Sequence, residues 1–189
     1  MIHYLIDWKK CIPDYHEPDI FAVDFENLYA KGYKALLLDI DNTLVTYDED
    51  LPGEKTRALL DELERIGFEV VLLSNNNRSR IEPFALSLGF PAIFRAKKPF
   101  RPGFKRSLDT LERPREKHEV LVVGDQLMTD VYGAKRFGLS VLLVGPLSLE
   151  TERWYTRFNR FVERKMLRRI KKKAPERYDE LGLESRWKR

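Results

Sequence analysis

What this chain lacks narrows it first. One cysteine, Cys11, among 189 residues excludes an intrachain disulfide and a cysteine-rich zinc site, and points to a reducing compartment such as the cytoplasm. The three histidines, His3, His16 and His118, fit no motif and share no spacing, so they read as surface or packing residues. No apolar run is long enough to span a bilayer. Nothing at the start resembles a secretory signal, because Asp7, Lys9 and Lys10 interrupt the apolar residues too early for a signal core.

What is present suits one compact domain with an appendage. The hydrophobic share of 43% is ordinary, while the charged share of 34% is high. The net charge of +4 hides an asymmetry. Residues 151–173 hold ten Lys and Arg against Glu152 and Glu163, whereas residues 1–150 are net acidic. Composition and pattern divide the chain into a packing segment (1–32), a central domain (33–146), and a basic helix with its tail (147–189).

The central stretch alternates between two periods. Apolar runs at Ala35–Leu38, Phe68–Leu73, Pro91–Phe94, Val120–Val123 and Val141–Val144 read as buried strands. Between them lie amphipathic helices near 52–66, 80–88, 102–111 and 127–137, closed by breakers such as Gly67, Gly89 and Gly138. Alternation of this kind predicts an α/β fold, a Rossmann-like three-layer sandwich around a five-stranded parallel sheet. All strands of such a sheet end along one edge, so residues far apart in sequence meet there.

Four of those strand ends carry polar residues of complementary kinds. Asp39 and Asp41 follow the first, in DIDNT, and Ser74 follows the second, in LLSN. Lys97 and Lys98 come after the third, in AKKP, and Asp125 and Asp130 follow the fourth, in GDQLMTD. Paired carboxylates repel unless a cation sits beside them, and a hard divalent ion such as Mg²⁺ would also bind phosphate oxygens. Taken singly, each piece has a bland reading: an Asp-rich turn, a helix-capping Ser, a solvated Lys pair. Together, in order and each at a strand end, they suit a site that holds a phosphoryl group against a metal.

These motifs resemble those of the haloacid dehalogenase (HAD) superfamily of aspartate-nucleophile phosphatases, over about residues 30–145. Within it, LLLDIDNTL, AKKP and VVGDQLMTD are similar to the YqeG-type subclass IIIA phosphatases, which are related to phosphatases of phosphatidylglycerophosphate. The resemblance implies Asp39 as nucleophile and Asp41 as the acid and base, which needs a carboxyl with a raised pKa. It implies Mg²⁺ held by Asp39, the main-chain oxygen of Asp41, and Asp125, with Asp130 behind them. Ser74 and the backbone from Asn75 onward would bind the phosphoryl oxygens, Thr43 would orient the loop, and Lys98 would neutralise charge. Lys97 can take the place of Lys98 on sequence alone; Lys98 is preferred because it directly precedes Pro99.

Neither the interval from Thr43 to Ser74 nor that from Ser74 to Lys98 has room for an inserted cap domain, so the site is expected to be open. An open site suits a substrate that covers it, such as a lipid head group at a surface, a protein or a nucleic acid. In residues 151–173, Trp154, Phe158, Phe161, Val162, Met166 and Ile170 fall on one helical side, and Arg153, Arg157, Arg160, Arg164, Arg168 and Lys171 recur on another. That is the pattern of an anchor on an anionic membrane surface. It is equally the pattern of a helix packed on the domain with solvated arginines. Nucleic-acid contact ranks behind both, as does a binding protein using the fold as scaffold, since every motif acid is present. The substrate class expected is a phosphate ester, either a phospholipid head group or a soluble ester or phosphoprotein. The tail Ala174–Arg189 is balanced in charge and expected to be loosely ordered.

Overall fold

The computed structural model describes residues 6–150 and 154–187, without the side chains of Trp154, Tyr155, Arg157, Phe158 and Trp187. His3, Arg153, and the outward or inward placement of Trp154, Arg157 and Phe158 therefore lie outside the described residues. The chain order is β1 (Tyr15–Glu17), α1 (Phe25–Ala30), β2 (Ala35–Leu38), α2 (Glu54–Ile66), β3 (Glu69–Leu73), α3 (Arg78–Leu88) and β4 (Ala92–Ile93). Then come α4 (Arg101–Thr110), β5 (Val120–Gly124), a π-turn (Leu127–Val131), α5 (Tyr132–Phe137), β6 (Ser140–Val144), α6 (Trp154–Lys173) and α7 (Pro175–Glu180).

The sheet has six strands in the order β1-β6-β5-β2-β3-β4, every neighbouring pair parallel. The expectation of five strands is corrected by β1, which pairs Tyr15 with Leu142 and Glu17 with Val144 at one edge. Its sequence, Tyr-His-Glu, is only half-buried along its length. A short polar edge strand has one partner and carries none of the continuous apolar run that marks a central one.

Side-chain alternation in the strands separates two cores. Ala35 and Leu37 of β2, with Val120, Val122, Val141 and Leu143, face Phe104 of α4, Phe137 of α5 and Met166, Leu167 and Ile170 of α6. Leu36 and Leu38, with Leu121, Val123, Leu142 and Val144, face Leu28 of α1, Leu60 and Leu63 of α2 and Phe84 of α3. The result is a three-layer sandwich. Between β2 and β3 lies one loop with α2, and between β3 and β4 only α3, so no large cap domain is inserted.

The chain runs outward from β2 to β4 and then returns to β5 on the other side of β2. That reversal puts a topological switch point between the carboxyl ends of β2 and β5, where open sheets form crevices. The Asp39 amide donates to Val123 O at 2.9 Å, extending the pairing into the crevice.

The C-terminal segment belongs to the sandwich. Met166, Leu167 and Ile170 are buried, as are Tyr178 and Leu183 beyond them. The expectation of a loose tail is therefore corrected: α7 and the turn after it fold back, with Tyr178 and Leu183 filling apolar space under α6. The apolar side of α6 meets the sheet, while Phe161, Arg164, Arg168 and Lys171 to Lys173 lie on its exposed side. Arg160 departs from that stripe and is buried.

Candidate active site

Asp39 and Asp41 stand on the segment that leaves β2. The turn between Asp41 and Val45 closes through a bridge, with Asn42 in the left-handed region at φ 67°. Asn tolerates that region better than other non-glycine residues. Its amide side chain donates to Ser148 O at 2.6 Å and accepts from Ser148 N at 2.8 Å, so it ties the turn to the loop after β6.

The two carboxylates face different partners. Asp39 accepts from Thr43 Oγ1 at 3.1 Å and from Lys98 Nζ at 2.5 Å. Asp41 accepts from Ser74 Oγ at 2.9 Å, Asn76 Nδ2 at 2.8 Å and Arg80 Nε at 2.9 Å. Arg80 also reaches Asp50 Oδ1 at 2.7 Å and the Glu49 carbonyl at 3.2 Å, joining Asp41 to the loop that follows β2.

Lys98, rather than Lys97, enters the site. Lys97 is exposed, with φ 57°, and Arg95 before it has φ 47°. Two left-handed residues in this tight loop send alternate side chains out and leave Lys98 inward. Asn75 grips its backbone from both sides, accepting from Lys98 N at 2.7 Å and donating to Lys98 O at 3.1 Å. The ammonium then donates to Asp39, to Asp130 Oδ1 at 2.7 Å and to Leu73 O at 3.1 Å. All three of its donors are used, as a buried ammonium requires.

Asp125 precedes the π-turn and Asp130 lies within it. Asp130 Oδ2 accepts from Gln126 N at 3.0 Å, which fixes its approach to Lys98. Gly124 is required there: a Cβ at that position would lie 2.5 Å from the Asp130 side chain. Asp125 is fully buried, and its Oδ2 and main-chain oxygen are both taken by Arg160 of α6. Its Oδ1 is buried and has no hydrogen-bond partner among the described residues.

One carboxylate oxygen from each of Asp39, Asp125 and Asp130 lies within 4.8 Å of the others. Burial pushes the Asp39 carboxyl well above its ordinary range; Lys98 opposes this, and Asp130, Asp125 and Asp41 add to it. Burial likewise pushes Asp125 up to about 6 against the pull of Arg160, with Asp130 adding to the rise. Burial works to lower the Lys98 pKa, but Asp130 and Asp39 outweigh it and raise it. The site thus holds more negative charge than its own cations balance. A bare acid oxygen beside two other buried carboxylates fits a hard divalent cation. Of the expected set, Asp39 and Asp125 stand together in this triad, Asp130 joins them directly, and the Asp41 carboxylate turns towards Ser74.

Asp39, Asp41 and Lys98 line a cleft of about 170 Å³, bounded also by Asn75 and Asn76 and by Tyr47, Gln126, Thr129 and Asn159. The sequence alone does not mark Tyr47, Gln126 or Asn159 as lining it, nor Arg80 and Arg160 as partners of Asp41 and Asp125. Arg80 sits in the first turn of α3, where nothing local marks a charge partner. Arg160 and Asn159 come from the basic segment, where periodicity alone places arginines in solvent.

The haloacid dehalogenase-like hydrolase family matches residues 3–138. The chain belongs to that family. It is 36% identical over 172 residues to the "Probable phosphatase YqeG" of Bacillus subtilis (strain 168), a match covering 91% of this chain and 98% of that protein. It is also 29% identical over 150 residues to "Phosphatidylglycerophosphate phosphatase 1, chloroplastic" of Chlamydomonas reinhardtii, covering 75% of this chain and 55% of that protein. Among solved structures, an uncharacterized protein from Listeria monocytogenes serotype 4b superposes with a TM-score of 0.50 at 18% identity, over 64% of this chain and 85% of that one. That last likeness speaks to the fold alone.

Replacing Lys98 by Met removes the cation that Asp39 and Asp130 share. The Lys98→Met protein is expected to lose about 3–5 kcal/mol of stability at neutral pH in denaturant titrations, the usual effect of stranding a buried charge. The loss should shrink in acid, where a protonated carboxyl needs no cation. A loss below about 1 kcal/mol at neutral pH would show that the three groups do not depend on one another.

Proposed function

We propose that the cleft hydrolyses phosphate monoesters with Mg²⁺, through an aspartyl-phosphate on Asp39. The observation that carries this reading is the Asp39 carboxylate itself. It is held by Thr43 on one oxygen and Lys98 on the other, beside the buried acids Asp125 and Asp130.

In the first half-reaction an Asp39 oxygen attacks phosphorus and the bond from phosphorus to the ester oxygen breaks. Asp41 gives its proton to the departing alkoxide. In the second half-reaction Asp41 takes a proton from water, whose oxygen attacks phosphorus and returns Asp39 as a carboxylate with inorganic phosphate released. Ser74 and the backbone amides from Asn75 onward hold the phosphoryl oxygens. Lys98 favours the ionised form of Asp39 against the effect of burial and balances charge as it develops. Asp39 and Asp125 would hold Mg²⁺, with Asp130 beside them, and the ion would neutralise phosphoryl charge and orient the ester for in-line attack. For Asp41 to work in both directions it must release part of its Ser74, Asn76 and Arg80 hydrogen bonding. An incoming phosphoryl group that recruits the Ser74 hydroxyl does this.

The finer reading is a phospholipid head group, with phosphatidylglycerophosphate as its example. It is supported by the named activity of the Chlamydomonas relative and by the absence of a large cap over the cleft. It is also supported by the exposed basic stripe of α6, where Arg164, Lys171, Lys172 and Lys173 share a side with Phe161. No helix among the described residues is long and apolar enough to cross a membrane, so contact with lipid would be at the surface.

Two measurements test these levels separately. Asp39→Asn should reduce Mg²⁺-dependent turnover of an aryl phosphate by at least about a thousandfold while the fold survives; retained turnover would end the mechanism. On phosphatidylglycerophosphate in anionic mixed micelles, kcat/KM should exceed that on soluble esters, and the double change Arg164→Glu with Lys172→Glu should lower only the micellar rate. Equal rates on both substrate forms, unaffected by the charge reversal, would assign the enzyme to soluble esters instead.

A further inference from the structure

The residues that close the metal triad from behind do not come from the segment matched by the family. They come from α6 and the turn after α7, beyond residue 138. Arg160 lays its guanidinium across a single residue: Nη2 meets Asp125 Oδ2, and Nη1 donates to the Asp125 main-chain oxygen at 2.7 Å. A planar fork engaging two oxygens of one aspartate fixes both its backbone and its side-chain rotation. The opposite oxygen, Oδ1, is left buried and unpartnered among the described residues, and the Asp125 carboxylate stands in one triad with those of Asp39 and Asp130.

Arg160 is itself held in place. Its Nη1 donates to Glu163 Oε2 at 3.1 Å, and Glu163 Oε1 accepts from Arg186 Nε at 2.7 Å. Arg186 donates again to the Asp125 carbonyl at 2.8 Å and to Val144 O at 2.9 Å. The Leu127 amide, at the start of the π-turn, donates to Glu163 Oε2 at 3.3 Å. Two arginines and one glutamate thus bind the GDQLMTD loop, the end of β6 and α6 into one buried unit. An exposed arginine stripe needs no such partners.

We propose that Arg160 is a positioning residue for the cation site, turning Asp125 Oδ1 towards Asp39 and Asp130, so that cation binding and the seating of α6 are coupled. This rests on the reading of the cleft as a Mg²⁺ site. The coupling is reciprocal by linkage: whatever seats α6 tightens the site, and the cation in turn secures α6. Residues that orient a metal ligand from outside typically change metal affinity by about 10–100-fold when replaced.

The test uses the full chain and Mg²⁺ alone, with no substrate. By calorimetry, both Arg160→Met and Arg160→Lys should weaken Mg²⁺ binding by about tenfold or more, since lysine keeps the charge but cannot span both Asp125 oxygens. If Arg160 serves only to neutralise Asp125, Arg160→Met should instead bind Mg²⁺ as tightly or more tightly and Arg160→Lys should match the wild type; either result overturns the proposal. A second readout needs no substitution. In the wild-type protein, Mg²⁺ should slow amide hydrogen exchange across residues 159–170 of α6, and exchange there that ignores Mg²⁺ overturns the coupling. If the wild-type protein takes up no Mg²⁺, the metal reading falls and this inference falls with it.

Discussion

A single buried ammonium holds the carboxyl edge of the sheet together. Lys98 Nζ bonds Asp39 after β2, the Leu73 carbonyl at the end of β3, and Asp130 beyond β5. Three strand ends therefore meet on one atom, and each contact lies where water is excluded. An ammonium in such a place is tolerable only when every donor is paired. The loop that delivers it is built for that purpose: Arg95 and Lys97 take left-handed conformations, and Asn75 holds the Lys98 backbone at both its amide and its carbonyl.

Around that atom the charges are graded. Asp39 shares Lys98 with Asp130, Asp41 is held by Arg80, and Asp125 by Arg160. Each acid is met by a cation, with Lys98 shared by two of them, and one oxygen from each of Asp39, Asp125 and Asp130 lies within 4.8 Å of the others. Crowded, dry carboxylates raise one another's affinity for protons or metal. This is why the same arrangement that burdens the fold is one that could hold a divalent ion.

Much of this was legible in the sequence, for a definite physical reason. Strands buried on both faces are near-continuous apolar runs, so those at Ala35–Leu38, Phe68–Leu73 and Val120–Val123 announce themselves, and a parallel sheet gathers their ends. Asp39, Ser74, Asp125 and Asp130, and the pair Lys97 and Lys98, fall at strand ends by that rule. The edge strand Tyr15–Glu17 does not announce itself, because a strand with one neighbour carries no apolar signature. Arg160 and Arg80 do not either. Their partners are set by how α6 and α3 dock, and the same helical period fits a guanidinium facing solvent or one buried on a carboxylate. The tail misleads similarly: Tyr178 and Leu183 are two apolar residues in a charged stretch, yet both are buried. The Lys97 and Lys98 alternative is decided only by the backbone, whose left-handed turn at Lys97 sends one lysine out and the next one in.

In the proposed reaction Asp39 carries the phosphoryl group. Rapid acid quench of the wild-type protein during turnover of an aryl phosphate, followed by mass spectrometry of its peptides, tests this directly. The account predicts one added phosphoryl group on the peptide containing Asp39, labile to hydroxylamine and absent from Asp39→Asn. Steady turnover with no label at Asp39, or with label on another residue, would contradict it.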